Sequence, residues 1–98
     1  MGRASRSKPK QLAKKLLQIR KRLGLSQNEL IRRMGLEDEL LREEISDFER
    51  GKRVPPLRVL LAYGRAAKLY VDALIDDEVD LPERLPSTSK SAGIKRRR

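Results

Sequence analysis

Glycines at positions 24, 35 and 51 and the Pro55-Pro56 pair cut this sequence into short apolar segments with helical spacing. Glycine tolerates the left-handed backbone in which helices end, and proline stops one helix while favouring the start of the next. Before the first glycine, Leu12, Leu16, Ile19 and Leu23 recur at i, i+4, i+7 and i+11, one stripe of a helix. Pro9 fits its first turn, with Ser7 as a cap before it. Lys10, Lys14, Lys15, Arg20, Lys21 and Arg22 occupy much of its remaining surface. Ser26 followed by Glu29 is a capping box that opens a second helix through Met34, with Leu30 and Met34 inward. Leu41, Ile45 and Phe48 anchor a third, started by Asp38 or Glu39 and ended by Gly51. The prolines then seed a fourth, with Leu57, Leu60, Leu61, Gly64 and Ala67 as its inner stripe. A last short helix contains Val71, Leu74 and Ile75, with Asp72 or Asp76 as a cap. No run alternates with period two, so no strand is expected. The expected fold is all-α, a five-helix bundle over residues 9–81.

The ends read differently. Residues 1–8 lack an apolar period and read as a mobile basic arm, and residues 82–98 as a disordered basic tail rich in Pro, Ser and Thr. Residues 1–22 hold nine Lys or Arg and no acid, and residues 82–98 hold six against one. Residues 23–53 carry six bases and eight acids, and residues 54–81 three and five. The net charge of +10 therefore resides in the ends. Cationic ends favour a polyanionic partner, the plainer alternative being solvated tails.

Composition excludes several functions. With 98 residues there is room for one domain and no separate sensing module. The absence of Cys and His removes thiol nucleophiles, disulfides, imidazole acid–base chemistry and the usual zinc sites. No nucleophile–base pair or ligand set is recognisable, so neither catalysis nor a cofactor is expected. Phe48, Tyr63 and Tyr70 are the only aromatics, too few for a platform that stacks single-stranded bases. No apolar run is long enough to span a bilayer, and no secretory or myristoylation signal opens the chain. A cytoplasmic location without membrane attachment is expected.

Gly24-Leu25-Ser26-Gln27-Asn28-Glu29-Leu30, Gly35, Ile45-Ser46-Asp47-Phe48-Glu49-Arg50-Gly51-Lys52-Arg53, Pro56 and Leu74-Ile75 together resemble the XRE, or lambda-repressor/Cro-like, helix-turn-helix family. The resemblance covers about residues 10–77. It implies a lambda-repressor-like bundle that reads double-stranded DNA as a small prokaryotic transcriptional regulator. The third helix would lie in the major groove while the second crosses the backbone. Gln27 is then a backbone-contacting residue, unless it is simply a solvated polar group of a first turn. With Leu41, Ile45 and Phe48 inward, Arg42, Glu43, Ser46, Asp47 and Arg50 are the candidates for base contacts. Arg50, Lys52 and Arg53 are candidates for phosphate. Arg20 and Glu49 would form an ion pair between the first and third helices. Family members bind palindromic sites as dimers, which makes a homodimer a possible assembly.

Three departures from the family pattern stand out. The stretch from Gly35 to Ile45 carries roughly four extra residues between 36 and 41, so either the turn is longer or the third helix starts early. Leu41 stands where a capping Ser or Thr is usual. Residues 37–49 also hold Glu37, Asp38, Glu39, Glu43, Glu44, Asp47 and Glu49 against Arg42 alone. An acidic helix loses affinity for phosphates unless its acids point away or accept from cytosine. The alternatives are an antitoxin-like protein that binds DNA while another part blocks a partner, and a protein-interaction module in which the acidic helix binds a basic partner and DNA binding is lost.

Overall fold

The computed structural model describes residues 9–86, and these are all-helical, with no strand. The helices are α1 (Leu12–Leu23), α2 (Gln27–Met34), α3 (Arg42–Glu49), α4 (Leu57–Ala67) and α5 (Val71–Ile75). They enclose one core in which Leu16, Ile19, Leu30, Ile45, Phe48, Tyr63 and Leu74 are fully buried. Among the described residues no helix is long and apolar enough to cross a membrane.

The stripe of α1 is inward as expected, with Leu12, Leu16 and Ile19 buried and Leu23 at the edge. The helix starts at Leu12, not at Pro9. Ser7 lies outside the described residues, and the cap comes from the far end of the domain. The Asp77 carboxylate accepts the backbone N–H groups of Lys10 and Gln11, both at 2.9 Å. Lys15, expected on the solvated surface, is buried. Its ammonium donates to the carbonyls of Ala73 and Asp76, both at 2.7 Å. Helix ends leave such carbonyls without intrahelical partners, and a cation there also meets the negative end of the helix dipole.

The capping box of α2 is complete. Glu29 N–H donates to Ser26 Oγ at 3.1 Å, and Ser26 N–H donates to Glu29 Oε1 at 2.7 Å. Gly35 ends α2 at a φ of 72°, a left-handed conformation that costs glycine little. The extra residues then form one additional turn, closed by Leu40 N–H to Leu36 O at 2.9 Å, and α3 starts only at Arg42. Leu36 and Leu40 from this turn enter the core, while Leu41 is 66% exposed. Leu41 is the extended residue before α3, so its side chain leaves the helical stripe. It has no oxygen with which to cap the helix, and Glu44 supplies half a capping box by accepting Leu41 N–H at 2.9 Å.

In α4 the expected stripe holds at Leu60, Gly64 and Ala67 and fails at Leu57 and Leu61. Val59, Leu60, Tyr63, Gly64 and Ala67 are buried, whereas Leu57 and Leu61 are exposed. The expected stripe followed leucines, but Val59 and Tyr63 bury their bulk in the core. Gly64 is required for close approach, because a Cβ there would stand 2.8 Å from the Leu69 carbonyl oxygen. In α5 only Leu74 is buried, Ile75 is exposed, and neither Asp72 nor Asp76 supplies a side-chain cap.

The packed chain continues beyond residue 81. Leu81 and Leu85 are both buried, and Arg22 Nη1 donates to the Pro82 carbonyl at 2.6 Å. The expected disorder of residues 82–98 is therefore corrected for 82–86, where two leucines four apart outweigh the proline-rich composition. Residues 1–8 and 87–98, the expected arm and remaining tail, lie outside the described residues.

Candidate nucleic-acid interface

The end of α3 is fixed by a polar junction. Glu49 is 5% exposed and Arg20 17%, and they meet as a two-pronged pair. Arg20 Nε donates to Oε2 at 2.6 Å and Nη2 to Oε1 at 3.0 Å. Gln27 Nε2 donates to the same Oε1 at 3.2 Å, and Arg20 Nη1 reaches the Leu25 carbonyl at 3.1 Å. One carboxylate thus joins α1, the start of α2 and the end of α3. Donating to the Glu49 carboxylate holds the Arg20 guanidinium above its ordinary pKa, against the opposing effect of burial. Tyr63 feels both charges of the junction. Burial, with a smaller contribution from the Glu49 charge, raises its phenol well above the usual range. Its buried hydroxyl has no hydrogen-bond partner among the described residues.

Gln27 is therefore engaged with the protein, but its amide carries two N–H donors and Glu49 takes only one. The backbone amides of Gln27 and Asn28, in the first turn of α2, have no hydrogen-bond partner among the described residues.

Arg42, Glu43 and Arg50 are exposed, and Ser46 and Asp47 are half-buried. They fall at i, i+1, i+4, i+5 and i+8, one stripe about 12 Å long opposite Ile45 and Phe48. Asp47 pairs with Arg50 at 3.5 Å. Arg53 pairs with Glu44 at 3.5 Å and lies 5.8 Å from the centre of the Phe48 ring. Arg42, Glu43 and Lys52 have no ion-pair partner among the described residues.

The acidity of residues 37–49 is reduced by bases from outside that stretch. Glu39 binds Arg58, Glu44 binds Arg53, Asp47 binds Arg50 and Glu49 binds Arg20. Glu37, Asp38 and Glu43 remain exposed and unpaired among the described residues. Counting bases within the stretch could not reveal these pairs, because only the fold brings Arg20 and Arg58 to it. Comparison with known proteins adds no relative, since no family model, curated protein or solved structure matches the chain.

Proposed function

We propose that this chain binds double-stranded DNA sequence-specifically through α2 and α3 as a helix-turn-helix of the XRE type, acting as a small prokaryotic transcriptional regulator in the cytoplasm. The observation that carries the reading is the α3 stripe. Arg42, Glu43, Ser46, Asp47 and Arg50 share a face the core does not use, on a helix whose end Glu49 pins to α1 and α2. A major groove about 12 Å wide admits such a helix. Arg42 can donate bidentately to guanine, Ser46 can bond either base type, and Glu43 can accept from cytosine. Arg50, Lys52 and Arg53 stand at the helix end for phosphates, joined by the second N–H of Gln27. The basic segments at either end add affinity without sequence preference.

A second reading, a protein-interaction module that has lost DNA binding, is favoured by the unpaired Glu37, Asp38 and Glu43, which repel phosphates. Selection of bound genomic fragments by the purified chain separates the two. Recovery of a common sequence supports the first, and failure to retain any duplex at low salt supports the second.

A further inference from the structure

A shallow groove runs between the C-terminal end of α2 and the outer face of α4. Its floor includes Leu61, 42% exposed, and Leu36 from the extra turn closes one side. Its rim is cationic, formed by Arg33, Arg58, Arg65 and Lys68, and no acidic residue lines it. We propose that this groove docks an acidic amphipathic helix of a partner protein, with an apolar side chain on Leu61 and carboxylates on Arg33, Arg65 and Lys68.

Three observations lead there. Arg58, Leu61, Arg65 and Lys68 follow one another at i, i+3, i+7 and i+10, so one face of α4 presents an apolar contact flanked by cations along its length. A helix laid in a groove reads that pattern with apolar anchors at the centre and charges at the rim. Arg58 is already engaged by both carboxylate oxygens of Glu39, whereas Arg33, Arg65 and Lys68 have no ion-pair partner among the described residues. Lys68 also holds a left-handed backbone at φ 61°, the one positive φ on a non-glycine among the described residues. Glycine would sit there with less strain, so the lysine keeps a cation at the groove's edge at a cost in backbone energy. A duplex fits the groove poorly, because phosphates gain nothing from an exposed leucine between the cations. No residue of α3 lines the groove, so the proposal does not depend on the DNA reading.

The test titrates the isotope-labelled full chain with a synthetic peptide carrying Leu at helical spacing and Glu elsewhere, beside a scrambled peptide of the same composition. Expected are saturable amide shifts at Arg33, Leu61, Arg65 and Lys68, and binding of the scrambled peptide at least about tenfold weaker. Arg65→Glu should weaken the helical peptide by about tenfold or more, and Lys68→Gly should weaken it without lowering Tm. Duplex binding, measured in parallel, should be unchanged in Lys68→Gly. Absence of saturable shifts, equal binding of the scrambled peptide, or shifts centred on Arg42 and Ser46 would overturn the proposal. So would duplex DNA shifting the same four residues. Self-association abolished by Leu61→Asp would also overturn it, by assigning the groove to a second copy of the chain.

Discussion

The carboxylate of Asp77 holds the backbone amide of Gln11 at 2.9 Å, so the first turn of α1 is capped by a residue that follows α5. With the Lys10 amide on the other oxygen and Lys15 on the carbonyls of Ala73 and Asp76, the start of α1 and the end of α5 are clamped together. These bonds to charged oxygen hold the Asp77 carboxyl below its usual pKa, first through Gln11 and then Lys10. A depressed carboxylate pKa stabilises the fold above the unfolded value, near 4, and the contribution is lost as pH falls through the folded value. Asp77→Ala should therefore lower Tm by a few degrees at neutral pH, and the difference from wild type should shrink as unfolding is measured below about pH 4. An undiminished difference in acid would contradict this.

The Arg20–Glu49 pair predicts strong coupling. Neither side chain is well solvated, so removing one strands the other. Arg20→Ala or Glu49→Ala should each cost about 3 kcal/mol, since breaking a buried pair costs about 3–5 and an exposed pair is worth about 0–1. A double-mutant cycle by denaturant unfolding should show a coupling above about 1 kcal/mol.

Tyr63 combines a fully buried ring with a hydroxyl that has no partner among the described residues. Tyr63→Phe should be neutral or stabilising by about 1 kcal/mol, because it removes an unsatisfied polar group. Tyr63→Ala should cost about 3–5 kcal/mol through the cavity it leaves. Thermal unfolding of both variants checks the contrast. A marked loss in Tyr63→Phe would mean that the hydroxyl bonds water or a neighbour.

Two glycine exchanges at the end of α4 should act in opposite directions. Gly64→Ala drives a methyl against the Leu69 carbonyl, a backbone atom that cannot yield easily, and should cost about 1–3 kcal/mol. Lys68→Gly relieves a left-handed lysine and should stabilise by about 0.5–1 kcal/mol. Paired denaturant curves give both signs at once.

What the sequence made legible was local. The capping box at Ser26 and Glu29, the stops at Gly24, Gly35 and Gly51, and the stripe of α1 depend on residues within a few positions of one another. The misreadings came from contacts made across the chain. Lys15 is buried because α5 offers it carbonyls, and Leu85 is buried because the domain leaves space for it. Leu57 and Leu61 face outward because Val59 and Tyr63 fill the interior in their place. At the candidate site, the spacing that brings Arg42 and Ser46 onto one face was readable. The engagement of Gln27 with Glu49, and the bases that neutralise Glu39 and Glu44, depend on tertiary placement.

If α3 reads DNA as proposed, Arg42 and Ser46 set the sequence preference. The most direct measurement is the ratio of affinities of the full chain for its selected site and for random duplex, at one salt concentration, for the wild type and for Arg42→Ala and Ser46→Ala. Each substitution should cost about 1–3 kcal/mol on the selected site and little on random duplex, lowering the ratio. A wild-type ratio near one, or a ratio that both substitutions leave unchanged, would contradict the assignment of α3 as the reading helix.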